Sequence, residues 1–229
     1  MSAPLPTSEL AERVAGRSLA PVTGCAPRSN VKQYPNVFGE SASAMAAILD
    51  LHFPTGSILD VNFGLGAFYR KTDRPVTGVD IRPPAEIQCD NRNLPFEADS
   101  FDVGVCDPPY KRGDGVKYEH RYGKAPKTET QVTWSYYETL TELLRVARCG
   151  VIIKVQDGTD GHRFHARHLM VANWMKEKTG LEPHDIAVNA RKNLAPTMAQ
   201  GTPHFFQQGV SYFLIYRWKT KNPYRPIRF

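Results

Sequence analysis

The chain has 229 residues, 41% hydrophobic and 23% charged, which suits one substantial α/β domain with arms and leaves no room for a second full domain. No run approaches the roughly 18 apolar residues that span a membrane, and Met1-Ser2-Ala3-Pro4 lacks the basic and apolar regions of a secretory signal; a cytoplasmic protein with no membrane partner is expected. A net charge of +6 and a pI near 9.1 favour a polyanionic partner such as nucleic acid.

Residues 1–36, with Pro4, Pro6, Pro21, Pro27 and Pro35 around a short helical candidate from Ser8 to Ala15, read as an N-terminal arm before a domain over 37–218. Ser41 to Leu51 is a small-residue helix with Met45, Ile48 and Leu49 on one face, broken by Pro54-Thr55-Gly56. Ser57 to Val61 is a short buried strand that runs into Asn62-Phe63-Gly64-Leu65-Gly66, a glycine-rich turn followed by a helix start. Val76 to Val79 is a second strand ending in Asp80, Ile87 to Cys89 a weak third ending in Asp90, and Phe101 to Cys106 a fourth ending in Asp107. Strands that each end in an aspartate set Asp60, Asp80, Asp90 and Asp107 along one sheet edge.

Lys111 to Thr133 is polar, without apolar periodicity. Ser135 and Glu138 then form a capping-box pair that opens a helix carrying Tyr137, Leu140, Leu143, Leu144 and Ala147 at helical spacing. Val151 to Val155 is the fifth strand. Phe164 to Lys178 is a helix with Leu169, Ala172 and Met175 inward, stopped by Gly180. Asp185 to Val188 and Val210 to Trp218 are the last strands, joined by a polar loop over 189–209 with no good helix, so they pair antiparallel. Residues 219–229 form a basic, aromatic tail. Alternating strands and helices give a doubly wound, mainly parallel α/β sheet, Rossmann-like, with seven strands and a reversed last strand.

Cys25, Cys89, Cys106 and Cys149 show no C-x-x-C spacing and are expected as buried free thiols. His162, His165 and His168, with His204 beyond, step by threes, but no cysteine or carboxylate completes a ligand set, so no metal is expected.

At the strand ends, glycines let a ligand approach the backbone, and an acid at the tip of the second strand can accept ribose hydroxyls. The dinucleotide fingerprint wants a third glycine where Tyr69 stands, which argues against a nicotinamide cofactor. In Asp107-Pro108-Pro109-Tyr110, two prolines stiffen the chain and remove two amide donors, fixing a carboxylate and a carbonyl beside an aromatic face. An aromatic exocyclic amine is a poor nucleophile. If Asp107 and the Pro108 carbonyl each accept one N–H, the nitrogen is drawn toward tetrahedral geometry, with Tyr110 stacked on the base.

The tetrapeptide resembles the catalytic motif of the amino-methyltransferases, the S-adenosylmethionine (SAM) enzymes that methylate exocyclic amines of nucleobases. The ordered set of glycine turn, Asp80, Asp90 with Leu94-Pro95-Phe96, and Asp107-Pro108-Pro109-Tyr110 carries that resemblance over residues 57–110. It implies SAM as cofactor, with Asp60, Asn62, Phe63, Gly64 and Gly66 facing its methionine part, Asp80 its ribose, and Asp90 with Asn91 its adenine. The order of the two halves and the leading aspartate imply methylation of adenine N6 in DNA with the base flipped from the duplex. Cytosine N4 is the alternative, followed by an RNA amine or an inactive nucleic-acid-binding subunit of the same fold. Lys111, Arg112, Lys117, Arg121 and Lys124, interleaved with Tyr118, His120 and Tyr122, suit phosphates and bases. Without a large recognition domain, loops 111–133 and 189–209 read a brief site, or the protein forms a homodimer, or its specificity is low.

Overall fold

The computed structural model describes residues 34–110, 126, 128–160, 163–190 and 209–217. The expected Ser8 to Ala15 helix, the greater part of both loops, Cys25, His162, His204 and the basic tail lie outside those residues. Ten strands are described: β1 (Val37–Phe38), β2 (Ile58–Asp60), β3 (Val76–Asp80), β4 (Ile87–Gln88), β5 (Phe101–Cys106), β6 (Ala147–Val155), β7 (Gly158–Asp160), β8 (Arg163–His165), β9 (Asp185–Ala190) and β10 (Val210–Arg217). The helices are α1 (Ser41–His52), α2 (Glu129–Val146) and α3 (Arg167–Thr179).

The main sheet runs β1-β9-β10-β6-β5-β2-β3-β4. β2 pairs in parallel with β3 and β5, β3 with β4, and β5 with β6. β10 is antiparallel to both β6 and β9. The expected fold class, doubly wound and mainly parallel with a reversed last strand, is therefore what the chain adopts. It has eight strands rather than seven because Val37–Phe38 adds an edge beside β9.

Two apolar layers cover the sheet. On one face, Met45, Ile48 and Leu49 of α1 pack on Ile58, Val103, Val105 and Ile152. On the other, Val132, Tyr136, Leu140 and Leu143 of α2 and Val171 and Met175 of α3 pack on Leu59, Cys106, Val151 and Ile153. Strand residues of alternate parity feed opposite layers, as the pleat requires. No helix among the described residues is long and apolar enough to cross a membrane.

Several expected boundaries shift. α2 begins six residues before Ser135, at Glu129, because Thr128 caps it: its hydroxyl accepts from the Gln131 amide, and the Gln131 side chain answers at the Thr128 amide. Ser135 instead donates to the Val132 carbonyl inside the helix. Ala147 both caps the end of the helix, its amide donating to the Leu143 carbonyl, and opens β6, and Tyr136 is fully buried where Tyr137 packs only at the edge of the core. The glycine turn leads only into a 3-10 turn, Ala67–Tyr69.

Phe164 lies in β8, half of a β7–β8 hairpin, and α3 starts at Arg167. The stripe that α3 buries is Arg167, Val171, Met175 and Thr179, one residue every fourth, which leaves Leu169 55% exposed. Cys106 is a buried free thiol, as expected, and Cys89 is free but only half-buried, whereas Cys149 is disulfide-bonded.

Candidate active site at the carboxyl edge of the sheet

Because β5, β2, β3 and β4 are adjacent and parallel, their carboxyl ends share one edge. Strand order reverses at β2, and the crevice beside such a reversal is where open α/β sheets take ligands. Asp60 and Asp107 stand on either side of it.

Asp60 is 1% exposed. Its Oδ1 accepts the Asn62 amide at 2.9 Å and its Oδ2 the Tyr69 hydroxyl at 2.8 Å. Burial pushes its carboxyl up to about 7; those two donors oppose the shift, and the neighbouring Asp107 and Asp80 add to it. The glycine turn is drawn tight by Gly66 N–H donating to the Phe63 carbonyl, with Gly64 and Gly66 at φ of 55° and 66°. Phe63 folds back under the turn: a Cβ placed on Gly78 would lie 2.5 Å from its ring, and one on Gly66 2.8 Å away. At the tip of β3, Asp80 Oδ2 accepts the Gly64 amide at 2.9 Å.

Asp90 lies at the end of β4 on the surface. Arg92 grips it through its backbone amide, Nε and a terminal nitrogen at 2.6 Å, and holds its carboxyl below the ordinary range. Asn91 is half-buried in the same turn. The following Leu94 to Phe96 segment is pinned to α2, where Arg145 donates to the Leu94 and Phe96 carbonyls and Glu142 accepts the Leu94 amide.

Asn62 joins the two halves of the edge. Its amide caps Asp60, and its Oδ1 accepts the Asp107 amide at 3.2 Å. Asp107 Oδ2 in turn accepts Lys154 Nζ at 3.1 Å, with the two side chains 19% and 7% exposed. Pro108 is buried, while Pro109 and Tyr110 are half-buried. Asp60, Asn62, Phe63, Gly64, Gly66, Asp80 and Asp107 to Tyr110 thus converge, with Asp90 and Asn91 two strands away. Lys111, Arg112, Lys117, Arg121 and Lys124 lie outside the described residues.

Sequence reasoning missed three site residues. Tyr69 holds Asp60, Lys154 holds Asp107, and Phe68 packs against both Tyr69 and Phe213. A lysine inside the apolar strand Val151 to Val155 was the readable signal for the second. His165 and His168 do not converge: His165 faces Asp160 at 2.8 Å, and His168 faces Asp157 at 2.7 Å.

The buried Asp60 carboxyl makes stability fall with pH. Its unfolded value is near 4 and its folded value about 7. The contribution is thus full below about 4 and lost as pH rises toward 7, by up to about 4 kcal/mol. Urea midpoints at pH 5 and pH 8 should show this decline in the wild type and a flatter one in Asp60→Asn; equal declines would exclude it.

No family model matches the chain, and no curated protein does. Among solved structures it is similar to a SAM-dependent methyltransferase of Thermotoga maritima, described as a possible histamine N-methyltransferase, at 15% identity over 76% of this chain and 88% of that one, TM-score 0.41. It is similar to the 1,6-didemethyltoxoflavin-N1-methyltransferase of Burkholderia thailandensis, with bound 1,6-didemethyltoxoflavin and S-adenosylhomocysteine, at 15% identity over 96% and 94%, TM-score 0.44. A SAM-dependent methyltransferase of Aquifex aeolicus matches at 12% identity over 70% and 81%, TM-score 0.33. The strand order and pairing, rather than these likenesses, carry the fold.

Proposed function

We propose that the chain transfers a methyl group from SAM to an exocyclic base amine in DNA, adenine N6 foremost and cytosine N4 as the alternative. The observation that carries this reading is the Asn62 bridge, which ties the glycine turn of β2 to the Asp-Pro-Pro-Tyr end of β5 through Asp60 and Asp107. On this reading the bridge holds a donor site and an acceptor site together at the switch point.

The residues present suit SAM. Gly64 and Leu65 are exposed in the turn, Leu65 and Ile81 offer apolar surface at 72% and 45% exposure, and Asp80, at the tip of β3, suits the ribose hydroxyls. Asp90 can take the adenine amine when Arg92 yields part of its hold. SAM, when bound, supplies an electrophilic methyl group. Asp107 and the Pro108 carbonyl accept the two amine hydrogens and aim the nitrogen lone pair, and Tyr110 stacks on the extruded base. The nitrogen–carbon bond would form as the sulfonium carbon–sulfur bond breaks, with S-adenosylhomocysteine as the leaving group, and one amine proton leaves through Asp107 to solvent. The basic segment after Tyr110 and the net charge of +6 suit the DNA backbone.

Incubation with methyl-tritiated SAM and duplex DNA should label the DNA. Label confined to RNA or protein would refute the substrate, and absence of SAM binding the whole reading.

A further inference from the structure

The acceptor half of the edge contains a buried cation. Lys154 sits in mid-sheet on β6, paired with Phe213 of β10, and its carbonyl accepts the Tyr136 hydroxyl at 3.3 Å. Its ammonium donates to Asp107 Oδ2 at 3.1 Å and lies 5.1 Å from the Phe68 ring centre and 5.4 Å from that of Tyr110. A side chain with four rotatable carbons is thus held in place by a carboxylate and two aromatic faces.

A carboxylate matched by a fixed ammonium still accepts hydrogen bonds from an N–H, but its attraction for a cation is largely cancelled. Two like unit charges about 5 Å apart, at an effective dielectric near 20, shift a binding equilibrium on the order of 100-fold. An aromatic exocyclic amine is uncharged at neutral pH, whereas an aliphatic amine is protonated. Resting on the methyltransferase reading above, we propose that Lys154 sets the acceptor class, making the Asp107–Tyr110 site take an uncharged, nucleobase-type amine and turn away a protonated aliphatic one. Lys154 is a specificity-determining residue that acts through Asp107 and Tyr110; no bond to it forms or breaks.

Titration calorimetry on the full chain saturated with S-adenosylhomocysteine tests this, with deoxyadenosine as the uncharged probe and tyramine as an aromatic ring bearing a protonated amine. Wild type and Lys154→Arg are expected to prefer deoxyadenosine. Lys154→Gln and Lys154→Met are expected to tighten tyramine on the order of 10-fold or more while deoxyadenosine changes less than about threefold. A purely structural lysine would not move that ratio. Equal tyramine affinity in wild type and the neutral variants overturns the proposal, as does Lys154→Arg behaving like Lys154→Gln. If neither neutral variant folds, the wild type decides: a preference for deoxyadenosine of about 10-fold or more supports the proposal, and equal binding overturns it. Failure of the wild type to bind S-adenosylhomocysteine would instead overturn the methyltransferase reading; the tyramine comparison on the protein alone still judges Lys154.

Discussion

Asp107→Asn is expected to lower methyl transfer to DNA on the order of 100-fold or more, the scale of losing a preorganised polar group at a reacting atom, with SAM affinity kept within about threefold. The substitution replaces an anionic acceptor by a neutral amide that presents one oxygen and one donor group. It also leaves the Lys154 ammonium, 7% exposed, facing an uncharged partner. Removing one member of a buried pair costs roughly 3 kcal/mol. Stability and activity can therefore be separated. In Asp107→Asn combined with Lys154→Met, most of the stability should return, because the buried charge is gone, while activity should stay lost. Urea denaturation beside single-turnover methylation checks both; recovery of activity in the double variant would remove Asp107 from the chemistry.

The second large effect is on the fold. Arg167 is completely buried, and its guanidinium donates to the Glu129 carboxylate and to the Gln156 carbonyl. It thereby ties the first residue of α3 to the first residue of α2 and to the loop that follows β6. Arg167→Met is expected to cost about 3–5 kcal/mol, because a buried carboxylate loses its guanidinium, and to lower the melting temperature by roughly 10 °C. Adding Glu129→Gln should recover part of that loss. Calorimetric melting of the single and double variants measures the coupling, and strictly additive losses would show that the pair is not a unit.

The parts of the fold that were legible in the sequence are those where chemistry and pattern coincide. Phe101 to Cys106 is a mostly apolar run, broken only by Asp102, and became β5 with its expected bounds, and the aspartates at strand ends fell on one edge because the strands are parallel. The start of α2 is not legible in the sequence, since two capping-box patterns compete within eleven residues, Thr128 with Gln131 and Ser135 with Glu138. Burial of Val132 and Tyr136 decides for the first. The phase of α3 was hidden because its inward stripe contains an arginine and a threonine, polar residues that a hydrophobic count assigns to the outside. At the site, motif residues were legible and their partners were not. Tyr69 and Lys154 lie 9 and 47 positions from the aspartates they hold. Only the fold brings them together.

The most direct measurement is mass spectrometry of nucleosides released from duplex DNA after incubation with the protein and methyl-deuterated SAM. A deuterated methyl group is expected on an exocyclic amine, N6 of deoxyadenosine first; DNA without label on any base amine, from protein shown to bind SAM, would contradict methyl transfer to a base.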